Sequence, residues 1–220
     1  MTLLALIIAI ANPYVYEKPI NVNSSVEYNF VLPLKEEHSE IITYDELINE
    51  AIYNCRGIKP DKVDPRLLEK LIKIESSFHP PAAMKGMVLA AACMESKYNP
   101  RAKGDRKFSK DKKTPMAIGI LQQWPVYEKR YGTVRTDPES AARSWMKHIV
   151  KQIPKVKRMC GYKTDKKIWL AAWVTGVRYK KPGGRCREAP LHYRLLKRWH
   201  RNIKKQRDWK MSCVEDGDGC

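Results

Sequence analysis

No apolar run in this 220-residue chain is long enough to cross a bilayer as a helix. The longest, residues 3–11, has nine residues, and a span needs ~20. Metal-binding patterns are missing as well. There is no C-x-x-C and no H-E-x-x-H, and the five histidines are scattered, so no zinc site is suggested and no metal or cofactor is expected. Strand signals are few, and no long-period repeat, helix-turn-helix or zinc module is legible. Acidic side chains are in deficit: 24 Asp and Glu against 42 Lys and Arg leave a net charge of +18. That excess points to an anionic partner, whether nucleic acid, a membrane surface or an acidic polymer such as a cell wall. Charge alone does not choose among them.

What is present is ordinary for one sizeable globular core with an appended tail, at 43% hydrophobic and 30% charged residues. Residues 3–11, followed by Asn12-Pro13, fit the apolar region of a secretory signal, with Ala9-Ile10-Ala11 as an A-x-A-like cleavage site. No Lys or Arg precedes the run, which departs from the usual signal. The expectation is nevertheless export, with residues 1–11 as the signal and 12–40 as a linker or loosely ordered lead-in. Six cysteines are an even number, which an exported protein can pair. Cys93, inside an apolar stretch, reads as a buried thiol. Cys160 and Cys186 flank one predicted helix and are the single expected bridge.

Apolar periodicity predicts helices over 45–53, 65–77, from about 83 to just before Asn99-Pro100, over 166–177 and over 192–210. Asp137-Pro138-Glu139 has the composition of a helix start: a capping Asp, Pro at the first helical position and an acid in the first turn. Residues 116–121 read as a short apolar segment ended by Gln122-Gln123-Trp124-Pro125. The expected fold is mostly α.

Three segments carry a resemblance. Met94-Glu95-Ser96-Lys97-Tyr98-Asn99-Pro100 is similar to E-S-x-[FY]-N-P, Gly119-Ile120-Leu121-Gln122-Gln123-Trp124-Pro125 to G-[LI]-[ML]-Q-x-x-P, and Ala171-Ala172-Trp173-Val174-Thr175-Gly176 more weakly to A-A-Y-N-x-G. In this order, across roughly residues 84–180, they resemble the soluble lytic transglycosylase and goose-type lysozyme superfamily. The resemblance implies a lysozyme-like catalytic domain, placed here at 41–190, followed by a basic helix and tail at 191–220. It also implies cleavage of the β-1,4 bond between N-acetylmuramic acid and N-acetylglucosamine in peptidoglycan. The protein would then be exported or carried by a bacteriophage, with glycan strands and an anionic wall surface as partners.

Glu95 is the expected catalytic acid. It closes a helix of small apolar residues, and a carboxyl at the mouth of such a core is partly desolvated, which favours the protonated form a general acid needs. Glu75, in Glu75-Ser76-Ser77-Phe78-His79-Pro80, mimics the same pattern. It would leave a whole helix between acid and G-x-x-Q segment, so it reads as a buried or salt-bridged structural carboxylate. Ser96, Gly119, Gln122, Trp124 and Trp173 are the expected substrate contacts. Gly119 would let the backbone approach a sugar ring, and Gln122 would donate to and accept from an acetamido group. Trp124, Trp173, Tyr127 and Tyr131 offer flat faces for pyranose rings. Trp173-Val174 stands where the family has Tyr-Asn, so one family contact is lost.

One carboxylate suffices for lytic transglycosylation, which ends in 1,6-anhydromuramic acid, whereas hydrolysis normally needs a second. Asp105, Glu128 and Asp137 are the candidates for that role. The resemblance favours the non-hydrolytic product, with a hydrolytic muramidase as the alternative. The rival from another class is a basic nucleic-acid-binding helical protein, supported by charge and by Trp199 and Trp209 interleaved in the last helix. A third reading makes that helix a membrane-surface element.

Overall fold

A computed structural model describes residues 42–174, 186, 187 and 189–215. Residues 1–41, with the expected signal and lead-in, lie outside it, as do Thr175-Gly176 of the third motif. Seven α-helices make up more than half of the described residues, with one two-stranded hairpin among them. They are α1 (Tyr44–Asn54), α2 (Pro65–Ser76), α3 (Met87–Ser96), α4 (Pro125–Tyr131), α5 (Pro138–Cys160), α6 (Asp165–Trp173) and α7 (Tyr193–Glu215). Strands β1 (Lys103–Gly104) and β2 (Ala117–Ile118) pair antiparallel between α3 and α4. The fold is mostly α. No helix among the described residues is long and apolar enough to cross a membrane.

The helix starts follow from local chemistry. Thr43 and Glu46 cap α1 reciprocally. Asp64 and Asp137 each accept a first-turn amide, with Pro65 and Pro138 behind them at the first helical position. α3 is different. Every residue from Met87 to Cys93 is buried, so it has no polar face and must be wrapped on all sides. It is packed by α1, α2 and α7. Its start differs from the expected position near Ala83: residues Ala82–Met84 form a separate 3₁₀ turn, and Gly86 at φ +85° breaks the chain before Met87. A Cβ at Gly86 would meet Leu47 at 2.9 Å. Pro125 was expected to end a segment; it opens α4 instead, because proline at the first helical position forfeits no helical bond.

The boundary expected at residue 190 does not divide the core. Leu196, Trp199 and Ile203 of α7 are at most 1% exposed and belong to the same apolar cluster as α1 to α3. Arg207 grips Glu46 of α1 with Nε 2.6 Å from Oε1, and these charged hydrogen bonds hold the Glu46 carboxyl down to about 2. His200 Nε2 lies 2.9 Å from the carbonyl of Lys85. The basic residues of α7 occupy its outer face, while an apolar stripe completes the core.

Cys93 is not a free thiol: it is bonded to Cys55, tying the end of α1 to α3. Cys160 is bonded to Cys186, as expected, anchoring the residues before α7 to the end of α5. Each bridge closes a long loop in the unfolded chain, with separations of 38 and 26 residues, which stabilises a fold by about 4 kcal/mol apiece in the chain-entropy account.

Candidate active site

α3 ends without a glycine. Lys97 and Tyr98 take left-handed φ values of 57° and 61° in succession, a conformation L-residues adopt at a cost. Burial of the Tyr98 ring, 4% exposed, holds the turn in place, and Asn99 and Pro100 then lead the chain away. Glu95, one residue before the helix ends, is thereby left at the edge of the core with its side chain 37% exposed.

The segment 118–123 is built against that helix end. Ile118 and Gln123 exchange two backbone hydrogen bonds of 3.1 and 2.9 Å, and Gly119 N donates to Ala102 O. Ser96 Oγ donates to the carbonyl of Ile120 at 2.7 Å. Arg135, only 10% exposed, braces the same loop from behind, its Nη1 donating to Met116 O and Gln123 O and its Nε to Glu128. Gln123, buried, donates to Ala141 O and Ser144 of α5. The loop is therefore fixed to three helices before any ligand arrives, as preorganisation of a site requires.

Between this loop, the ends of α3 and α6, and the residues leading into α7 lies a cleft of about 630 Å³. Glu95 lines it together with Gln122, Trp124, Tyr127, Trp173 and His192. Ser96 and Gly119, expected as substrate contacts, do not line it. Ser96 is spent on the tie to Ile120. At Gly119, with φ +84°, the group that approaches is the protein's own backbone: a Cβ there would sit 1.8 Å from the carbonyl oxygen of Arg135. Gly119→Ala should therefore lower stability by about 2 kcal/mol or more through strain at this position. A denaturant midpoint equal to that of the parent protein would contradict that account.

Gln122 keeps its place at the cleft, held at φ +47° with its Nε2 on Gly119 O. Its Oε1 occupies the space that a side chain at position 104 would fill, 2.3 Å from a Cβ built on Gly104. Trp124 is the exposed aromatic face, at 37%, and its Nε1 donates to Asp105 at 3.0 Å. Trp173 is 6% exposed. One of its neighbours is Trp145, edge-on, and His192 stacks on it at an interplanar angle of 18°. Tyr131 lies outside the cleft, with its hydroxyl 2.9 Å from His148 Nδ1.

His192 was not singled out by the sequence, where it is one residue of a basic C-terminal stretch. Its Nε2 lies 2.7 Å from Glu95 Oε1, and its Nδ1 is buried without a hydrogen-bond partner. A proton on Nδ1 would bury an unsatisfied donor, so the packing favours the tautomer in which Nε2–H donates to Glu95 Oε1. Stacking on Trp173 fixes the ring, and the ring fixes Glu95. Arg135 and Gln123 were missed too, and no local motif announces either.

Of the carboxylates weighed for a second role, Glu128 pairs with Arg135 and Asp137 caps α5 through Ser140 N. Asp105 is engaged by Trp124 at the rim. Among the described residues Glu95 is the one carboxylate lining the cleft. Glu75 is fully buried at the opposite end of α3, where its two oxygens accept from Gly86 N at 2.6 Å and Val88 N at 2.8 Å. Among the described residues no three His, Cys, Asp or Glu side chains gather as a metal site. Comparison with known proteins returns no family model, no curated protein and no solved structure that matches this chain.

Proposed function

We propose that the protein cleaves the glycan strands of bacterial peptidoglycan at the bond between N-acetylmuramic acid and N-acetylglucosamine, with Glu95 as the acid. One observation carries this reading: the three segments that suggested it, separated by some 25 and 50 residues of chain, each contribute a side chain to one cleft, as Glu95, Gln122 with Trp124, and Trp173. A carboxyl, an amide and aromatic walls are what a site for N-acetylated sugars needs: a proton source, a partner for the acetamido group and flat apolar faces for the rings.

In the proposed reaction Glu95 gives its proton to the bridging oxygen as the bond to the muramic acid C1 breaks. The carbonyl oxygen of that sugar's own N-acetyl group closes on C1. Glu95, now a carboxylate, takes the proton of the 6-hydroxyl as that oxygen displaces the acetamido group from C1. The product is a 1,6-anhydro sugar, and Glu95 ends as it began. This route needs one carboxylate, in keeping with Glu95 being alone among the described residues of the cleft. Export and an anionic wall partner are part of the same proposal, supported by the charge of +18.

Mass spectrometry of fragments released from purified sacculi tests the reaction. The expected products are anhydro-muropeptides, one water lighter than hydrolytic ones. Products ending only in reducing muramic acid would move the protein to the hydrolytic alternative. Release of neither would remove the proposal.

A further inference from the structure

The hairpin beside the cleft has a feature that cleavage of a glycan does not require. Segment 101–113 carries seven Lys and Arg against two acids, Asp105 and Asp111, and all nine of these side chains belong to exposed residues. Asp105 is taken by the Trp124 indole. Asp111 is taken by the amides of Lys113 and Thr114 and by the Thr114 hydroxyl. Among the described residues none of the seven cations forms an ion pair. A solvated loop would be free to swing away from the cleft, but this one is fastened to its wall at three points. Gly104 abuts the Gln122 amide, Asp105 holds Trp124, and Phe108, itself 56% exposed, packs on Trp124 with ring centroids 5.6 Å apart. The loop is thus held beside the Trp124 wall of the cleft through Gly104, Asp105 and Phe108, and it carries the cations and an exposed aromatic there.

We infer that segment 101–113 is a docking surface for the carboxylates of the peptide stems borne by muramic acid residues next to the cleaved bond. This rests on the proposed glycan substrate and specifies it: peptide-bearing strands rather than bare ones. In a strand that bears stems each lactyl carboxyl is amide-bonded and the sugar backbone is nearly neutral, so the carboxylates that the loop can meet are those of the stems. The stems, attached at the lactyl group of every second sugar, bring several carboxylates to the rim. Cations carried on an anchored loop beside them add affinity and capture rate, both weakened by salt. Phe108, between the cations, gives the apolar part of a stem a surface to cover.

The test compares soluble glycan strands carrying their stems with the same strands stripped of them by an amidase, the freed lactyl carboxylates then being converted to primary amides so that the bare strand is neutral, using the full-length protein and a Lys107→Glu/Lys110→Glu/Lys112→Glu variant. Both binding and kcat/KM are measured at about 50 mM salt. The parent protein should favour peptide-bearing strands by about tenfold, and the variant should lose that preference through weaker handling of those strands alone. Raising salt to about 500 mM, where the screening length falls from roughly 14 to 4 Å, should erase it as well. Cleavage of both strands without preference overturns the docking surface and leaves the proposed reaction standing, as does an equal loss by the variant on both. Preferential binding of peptide-bearing strands through the loop, without cleavage of either, upholds the surface and overturns the reaction. Binding of duplex DNA through the same lysines, with no response to stems, assigns the patch to nucleic acid and overturns the inference.

Discussion

Glu95→Gln should lower the rate of wall cleavage by a factor of about 10² to 10⁴ while leaving the melting temperature within a degree or two of the parent. The size follows from loss of general acid catalysis, which contributes that much where a positioned side chain transfers the proton. The unchanged fold follows from the geometry. The side chain is 37% exposed, and Gln retains an oxygen to accept from His192 Nε2–H, so no buried donor is orphaned. Circular dichroism and a melting curve establish the fold, and release of soluble fragments from sacculi gives the rate. Lysis near the parent rate would end the assignment of Glu95. A variant that fails to fold would contradict the structural half of the argument, because nothing the side chain touches then depends on its charge.

The parts of this site that the sequence exposes and those it hides differ in a physical way. Local chemistry is legible: α5 starts at Asp137-Pro138 as expected, and α2 lies where its apolar spacing placed it, because a cap and its helix, and the successive turns of one helix, are neighbours in the chain. Glu95, Gln122, Trp124 and Trp173 sit in contiguous motifs and reach one cleft. What escaped is what depends on contacts made across the fold. Arg135 braces the loop by hydrogen bonds to carbonyls 12 and 19 residues away, and a carbonyl has no residue type to recognise. His192 meets Glu95 from almost a hundred residues downstream. Cys93 sits in an apolar stretch that looks like core, and is core, yet its partner Cys55 lies 38 residues earlier. The α7 helix was read by its charge, although Leu195, Leu196, Trp199 and Ile203 recur at helical spacing and show which face turns inward. There the average over the helix concealed the stripe. Ser96 and Gly119 were expected to meet the substrate and instead shape the loop, since a motif marks residues a site needs without separating contact from scaffold.

Glu75 supplies the last expected result, a stability that falls as pH rises through the weakly acidic range. The carboxyl is fully buried. Burial pushes it from 4.5 up to about 7, against the pull of the Val88 and Gly86 amides and of the Lys85 charge. The folded state therefore keeps a proton between roughly pH 4.5 and 7 that the unfolded chain has released. With fewer protons bound in the unfolded state, unfolding becomes easier as pH increases across that window, and the loss is complete above it. A displacement of this size corresponds to about 3 kcal/mol. Other groups titrate in the same range, so the quantity to measure is the difference between the parent protein and Glu75→Gln, which has the same shape and no proton to lose. The variant should lack the slope: its amide nitrogen cannot accept from the second of the two buried N–H groups, so it should be the less stable of the two near pH 4.5, and it should gain on the parent by about 3 kcal/mol between pH 4.5 and 7.5, with cleavage at pH 5 unchanged. Parallel stability curves would mean that Glu75 carries its charge at no cost, held by the two amides at the start of α3. Loss of cleavage with an unchanged melting curve would make Glu75, not Glu95, the acid.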